Sequence, residues 1–366
     1  MFVSCFVSPH YGGGIGRHTV EMVGGLARRS GIRVELLASG RELDRHPDFV
    51  DRLQGIPIRR LPFSNVVLER LWKSIGWPRL DVHASRDADV VYAPAHARLP
   101  AGRMPTVMTV HDIQAFEPDL PWSHTPEHRA FARKWRRWLP RALAESARVL
   151  TVSEFSRRRL VELAGADPAR VGVVGNGVSE AFFAAGERPL TTRDDTIVVV
   201  GGIRTKKGAA ETLAVARELA RQGSPLRIEV VGQNDPEWVA ECRTLPNVDL
   251  LGMLPDGPLA ERLARACGLL FLSPYEGFGI PAVEAMAAGT PAVVANAASL
   301  PEIVADAGIV VDPADTEGIV YNLGRLHADG PYREMLVGRG RAHARSFTWD
   351  ACVDRLVNEL AQAIAR

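Results

Sequence analysis

Short apolar runs alternate with longer amphipathic segments along almost the whole chain, and the alternation starts afresh once. Runs this short, bounded by Gly, Pro, Asn or Asp, read as strands buried on both faces. The segments between them read as helices covering a parallel sheet. The first series places strands at 2–7, 34–38, 56–60, 90–93, 106–110, 149–152 and 171–174, and helices near 15–29, 66–75, 126–144 and 154–163. After Gly175-Asn176-Gly177 the pattern loosens, and residues 187–195 hold Pro, two Thr and paired acids. A second series then places strands at 197–200, 227–231, 248–250, 269–272, 292–295 and 309–311. Ser346-Phe347-Thr348-Trp349-Asp350 opens a last helix, with Thr348 as a suitable cap. At 366 residues the chain is too long for one ordinary core. The reading is α/β with two Rossmann-like domains, 1–186 and 187–346, facing each other across a cleft.

The composition, 46% hydrophobic and 24% charged, is that of a globular protein. A net charge of +1 from 44 basic and 43 acidic residues argues against a nucleic-acid partner. Cys5, Cys242, Cys267 and Cys352 are scattered without metal-ligand spacing, so they are expected reduced and inert. The apolar start, residues 1–8, lacks a basic leader and runs into glycines, which fits a first strand better than a signal peptide. No run approaches a membrane span. A cytoplasmic location is expected, with peripheral attachment to the inner face of the membrane left open.

Residues 274–291 concentrate the chemistry. An apolar strand runs into a loop containing Glu276, Gly277, Phe278 and Gly279, and Ile280-Pro281 starts a helix that carries Glu284. The amides of Gly277, Phe278, Gly279 and Ile280 would point outward at the positive end of the helix dipole, an arrangement that holds phosphate without metal. Two carboxylates eight positions apart can accept hydrogen bonds from paired hydroxyls of a sugar and a ribose. A plainer reading makes Glu284 a residue that offsets the dipole.

This segment resembles the Glu-x7-Glu signature of retaining glycosyltransferases of family 4, which have the two-domain GT-B fold. The resemblance implies that Glu276 binds the donor sugar's hydroxyls, that Glu284 binds the nucleotide ribose, and that the last helix, 347–366, crosses back to the N-terminal domain.

Further segments extend the resemblance from Gly12 to Trp349. Gly12-Gly13-Gly14-Ile15-Gly16 follows the first strand, where glycine lets the backbone turn sharply and approach a ligand. A dinucleotide fingerprint competes, since Glu35 follows at about the expected interval, but the spacing is not G-x-G-x-x-G. The family carries a similar turn against the donor diphosphate, and Gly13 and Gly14 are the matched positions. His111-Asp112 ends a strand at the edge where α/β proteins bind ligands. It resembles the family's His-Asp element, which would set His111 beside the donor sugar. Asp112 then lies on the acceptor side, orients His111 or caps a turn. His10 and His96 follow other strands and are either cleft-lining or ordinary loop histidines.

Residues 199–208 end the first strand of the second domain and hold Gly201, Gly202, Arg204, Lys206 and Lys207. By resemblance Lys207 and an arginine hold the leaving diphosphate. The family's common arginine position, five before the lysine, is here Gly202, and Arg204 is the substitute. Three basic residues at a helix start are otherwise a solvated surface. Gly232-Gln233 is expected on the base side of the nucleotide pocket, Asn176-Gly177 at the crossing between domains, and residues 299–304 as support.

The segment 129–141 interleaves six cations with Trp135, Trp138 and Leu139. It reads either as an amphipathic helix with its tryptophans on the sheet or as a helix meeting an anionic membrane surface. Asp87-Ala88-Asp89 has the form of a metal motif but directly precedes the strand 90–93, so it reads as a solvated turn, and no metal is called for.

The expected activity is retaining, metal-independent transfer of a hexose from a nucleoside diphosphate sugar to a hydroxyl of a glycan or lipid-linked acceptor. No cofactor is expected beyond that donor substrate. GDP-mannose is the first expectation for it and a UDP-hexose the second, because residues 109–114 look most like those of bacterial polysaccharide mannosyltransferases. A sugar-nucleotide epimerase or hydrolase, and a non-catalytic nucleotide-sugar-binding protein, are the alternatives.

Overall fold

A computed structural model of the chain describes residues 1–9, 12–188 and 193–365. His10 lies outside the described residues. The chain forms two units, Met1–Gly177 with Trp349–Arg366, and Val178–Thr348.

The first unit contains strands β1 (Phe2–Phe6), β2 (Arg33–Ser39), β3 (Ile58–Leu61), β4 (Val90–Ala93), β5 (Thr106–Thr109), β6 (Arg148–Thr151) and β7 (Val171–Val173). They form a parallel sheet in the order β3-β2-β1-β4-β5-β6-β7. Neighbours along a strand point to opposite faces, and the cores divide accordingly. Leu37, Val91 and Met108 join Trp72, Trp138 and Leu139 on one face. Leu36, Tyr92 and Leu150 join Met22, Leu26, Leu356 and Leu360 on the other.

That second face is closed by the helix Trp349–Ile364, whose Trp349, Cys352, Val353, Leu356, Leu360 and Ala363 are buried at helical spacing. Its contact with the helix Gly13–Arg28 is close: a Cβ on Gly25 would lie 2.4 Å from Val353 Cγ2. Arg148 Nε also donates to Glu359 Oε2 at 2.6 Å, linking β6 to the helix.

The second unit contains β8 (Asp194–Val200), β9 (Arg227–Val231), β10 (Val248–Gly252), β11 (Ala266–Phe271), β12 (Ala292–Ala295) and β13 (Ile309–Val311), in the parallel order β10-β9-β8-β11-β12-β13. Ile197, Ile228, Leu270 and Val293 anchor its core against helix residues Leu213, Leu219, Leu323 and Leu326.

The division falls at Gly177/Val178, not at 186/187. The helix Glu180–Glu187 packs within the second unit, where a Cβ on Gly186 would lie 2.2 Å from the Ala287 carbonyl oxygen. Val178 bridges to Thr348, and its amide donates to the Phe347 carbonyl at 2.9 Å. Phe347 and Thr348 therefore stay with the second unit, and the last helix starts at Trp349, directly after Thr348.

Candidate functional site

In the second sheet the chain order reverses between β8 and β11, which are neighbours in space but separated by β9 and β10 in sequence. Loops leaving two such strands diverge at their carboxyl ends and leave room for a ligand. The β8 loop carries Gly201 to Lys207 and the β11 loop carries Glu276 to Gly279. Lys207 Nζ lies 2.5 Å from Glu276 Oε1, with the two side chains 27% and 16% exposed. The pair joins residues 69 positions apart.

Both loops are fastened from behind. Ser273 Oγ donates to the Lys206 carbonyl at 3.1 Å. Gly208 has φ +76°, and a Cβ there would lie 2.2 Å from the Leu272 carbonyl oxygen, so the 205–207 turn lies directly on the end of β11. Gly279, at φ +97°, opens the helix Ile280–Ala287 with Pro281 in its first turn, and a Cβ on it would lie 2.5 Å from Leu300 Cδ2. Ser299 Oγ is 2.9 Å from both the Glu276 and the Phe278 carbonyl oxygens. Residues 299–304 thus support the loop that presents Glu276. Glu284, in the second turn of that helix, is 3% exposed, and a carboxylate enclosed this far is retained only with polar partners.

Gly202 and Gly232 answer to backbone contact. Gly202 has φ +80°, and a Cβ there would lie 1.7 Å from the Gln233 carbonyl oxygen. Gly232 has φ +136°, and its Cβ would lie 2.5 Å from the Gly202 amide nitrogen. No arginine fits at 202 in this backbone. Arg204 is exposed at 41% and its Nε lies 3.3 Å from Asp235 Oδ1. Asp235 also accepts from the Thr205 amide at 3.0 Å, and Trp238 Nε1 donates to Thr205 Oγ1 at 3.0 Å. Arg204 thereby fastens the 203–207 turn to the loop after β9.

The first sheet reverses between β1 and β4. The exposed glycines 12–14 lead from the β1 side into the helix Gly13–Arg28. A Cβ on Gly12 or Gly13 would meet nothing within 4 Å, so packing does not call for glycine there, whereas φ +59° at Gly13 does.

His111 leaves β5 and is 8% exposed. Its Nε2 lies 2.9 Å from the Pro94 carbonyl oxygen, which can only accept, so Nε2 carries the hydrogen. Burial pushes the ring down to about 4. It is neutral near pH 7, and its Nδ1 is an acceptor rather than a cation. Edge-on to it at 4.6 Å is the fully buried His18, whose Nδ1 bonds Asn176 Oδ1 at 2.8 Å. Burial first, and then His111, drive His18 well below the usual histidine range. Asp112 Oδ1 accepts the Gln114 amide at 3.2 Å, one of the roles the sequence allowed it. His18 was not anticipated, although it occupies the buried stripe with Met22 and Gly25 at helical spacing.

Three further segments resolve. Glu35 is 2% exposed near the start of β2, away from the ligand-binding strand ends. Burial alone would push it up, but hydrogen bonds from Ser4, Ser85 and Arg59 outweigh this and hold it below the usual carboxylate range. The dinucleotide reading is therefore set aside. Asp87 pairs with Arg33 at 2.8 Å and Asp89 accepts the Phe2 amide at 2.7 Å, and no metal-ligating cluster occurs among the described residues. The basic segment forms the helix Pro126–Glu145; its cations are exposed, while Trp135 and Trp138 are 7% and 5% exposed. The tryptophans needed for a lipid interface are in the core, and the His96 ring lies 4.4 Å from Trp135. Among the described residues no helix is long and apolar enough to cross a membrane.

Comparison with known proteins also finds two successive domains, which meet at 182–184, inside the helix Glu180–Glu187. Residues 12–182 match the family model described as Glycosyltransferase Family 4, and 184–343 match that of Glycosyl transferases group 1. The chain is 28% identical to the O-antigen chain mannosyltransferase B of Escherichia coli, over 94% of this chain and 95% of that protein. It is 29% identical to the GDP-mannose:cellobiosyl-diphosphopolyprenol alpha-mannosyltransferase of Xanthomonas oryzae, over 65% of this chain and 62% of that one. Among solved structures, sucrose-phosphate synthase from Thermosynechococcus elongatus superposes with a TM-score of 0.73 at 18% identity, covering 100% and 99% of the two chains. HepE of Anabaena in complex with UDP and glucose gives 0.70 at 18% identity, with 99% of each chain covered. The chain belongs to the family 4 glycosyltransferases of the GT-B fold.

Proposed function

We propose that this glycosyltransferase retains the anomeric configuration and moves mannose from GDP-mannose to a hydroxyl of a glycan or lipid-linked acceptor. The carrying observation is the Lys207–Glu276 pair at the reversal of the second sheet. A cation and a sugar-binding acid held in contact on two buttressed loops are preorganised for a nucleoside diphosphate sugar, whose phosphates and hydroxyls take over the contacts the two groups make with each other. Lys207 neutralises charge on the departing diphosphate, the amides at 277–280 add dipoles, and Glu276 holds the sugar hydroxyls. Glu284 takes the ribose. Within the first unit, the turn at Gly13 and Gly14 leaves its backbone open to a diphosphate, and His111, neutral, can accept a hydrogen bond from a sugar hydroxyl. The leaving phosphate takes the acceptor proton, so positioning and charge stabilisation suffice and no metal is required. Mannose is favoured because two of the relatives named above are mannosyltransferases, one of them acting from GDP-mannose.

The test incubates the protein with GDP-mannose and UDP-hexoses, with and without mannosides and diphosphate-linked glycans. Acceptor-dependent release of GDP, lost in Glu276→Ala, is expected. Acceptor-independent change of the donor would make the protein a hydrolase if GDP and free sugar are released or an epimerase if a new sugar nucleotide forms, and binding without turnover would make it a sensor.

A further inference from the structure

A second concave site lies in the first unit, on the chain that follows His111. Ala115, Glu117, Pro118 and Ser123 form one wall and the helix Pro126–Glu145 the other, enclosing a pocket of about 270 Å³. That is below the roughly 300–1,000 Å³ of pockets enclosing a whole drug-sized ligand, and suits a headgroup rather than a complete glycan.

Its charge is one-sided. Arg129, Arg133 and Arg136 line it at spacings of four and three residues, on one helix face. The one lining carboxylate, Glu117, is already taken: Arg159 grips both its oxygens, at 2.7 and 2.5 Å. Arg136 reaches the Phe116 carbonyl at 3.3 Å and lies 5.5 Å over the Phe116 ring, so it is held in place. Arg129 and Arg133 have no ion-pair partner among the described residues. Like charges four residues apart repel, and an anion between them relieves that repulsion. Planar guanidinium forks converging on a small hollow match the oxygens of a phosphate. A lipid bilayer is matched less well, since the tryptophans of the same helix face the core.

We infer that this pocket binds a phosphate or diphosphate group carried by the acceptor, with Arg129 and Arg133 as its principal ligands and Arg136 as a fixed third. The inference rests on the glycosyltransferase reading above and names the chemistry of its acceptor.

The probe is octyl diphosphate, titrated by calorimetry into the full-length protein with saturating GDP present to occupy the donor site. Octyl glucoside serves as the uncharged control, and vesicles rich in phosphatidylglycerol as the membrane arm. Saturable binding of octyl diphosphate is expected, weakened about tenfold or more in Arg129→Ala/Arg133→Ala and by an intermediate amount in Arg129→Lys/Arg133→Lys, which keeps the charge but loses the planar fork. Affinity for GDP should be the same in wild type and both variants. Equal octyl diphosphate affinity in wild type and the alanine variant overturns the inference, as does retention on vesicles without binding of the free diphosphate. Absence of nucleoside diphosphate binding in the wild type would instead sink the donor reading, independently of the arginine result. Both substitutions are at exposed helix positions, and a melting curve checks that the variants fold.

Discussion

Replacing Gly202 with alanine separates a glycine required by the protein's own backbone from one kept for a ligand. At φ +80° an alanine incurs about 1–2 kcal/mol of left-handed strain. Its Cβ would stand 1.7 Å from the Gln233 carbonyl oxygen and 2.5 Å from its carbon, and neither belongs to a flexible side chain that can swing aside. The loops after β8 and β9 must therefore part, which adds about 1–3 kcal/mol of overpacking. The hydrogen bond from the Gly202 amide to Val231, 3.0 Å long, weakens as they do, at about 1 kcal/mol. The sum is about 3–6 kcal/mol. Gly223→Ala is the matched control in the same unit: φ is +64° and nothing lies within 4 Å, so only the strain of about 1–2 kcal/mol applies. Guanidinium unfolding of both variants, followed by circular dichroism and by Trp238, the tryptophan of the second unit, measures the difference. Costs within about 0.5 kcal/mol of each other would refute the collision argument. On the same reasoning Gly202→Arg, which restores the family's usual residue, loses stability instead of gaining activity.

Glu276→Ala should lower transfer by about 10²–10³-fold with little change in melting temperature, since the lysine left behind is partly exposed; unaltered turnover would remove Glu276 from the mechanism. Burial holds His111 at about 4 against an ordinary 6.5, so the unfolded chain takes up the proton first as pH falls. Its contribution is whole above pH 6.5 and is lost as pH falls through 4, a difference of roughly 3 kcal/mol. His111→Gln should show a shallower loss of stability over that window, and an identical slope would show that another group carries it. Glu35→Gln, which breaks a buried network to Ser4, Ser85 and Arg59, should cost about 2–4 kcal/mol while leaving affinity for GDP intact. A loss of nucleotide affinity without a loss of stability would revive a ligand role for Glu35.

Strands whose ends are marked by turn residues were readable to the residue: 90–93, 227–231, 292–295 and 309–311 coincide with β4, β9, β12 and β13. Where a strand begins in small or charged residues the pattern is silent. β11 starts at Ala266, before its large apolar residues, and β8 starts at Asp194, whose carboxylate is held by Arg265 at 2.9 Å. The linker reading of 187–195 failed at that end for this reason. The short helices Gly40–Arg45 and Pro47–Asp51 carry too few turns for a periodicity to register. Within the site, Lys207 and Glu276 could each be singled out from local loop chemistry, but their contact could not, because it depends on which strands are neighbours in the sheet. Gly202 and Gly232 were both expected in the donor site, and their backbone contacts were not legible, because in sequence a glycine at a strand end looks the same whether a phosphate or another backbone approaches it. His18 was hidden by its own stripe of apolar neighbours.

The helix Trp349–Ile364 belongs to the unit whose other residues, Met1–Gly177, are synthesised before those of the second unit. During translation the segment from Val178 to Thr348 has all of its sheet and core in hand before the ribosome reaches the residues that seal the other lobe. The earlier-made lobe must wait, with Met22, Leu26, Leu36 and Leu150 lacking the cover that Leu356 and Leu360 later provide. Exposed apolar surface of that kind is what chaperones bind and what drives nascent chains to aggregate. Chains truncated after residue 348 and released from the ribosome should therefore resist protease in the later-made lobe and be cut in the earlier one.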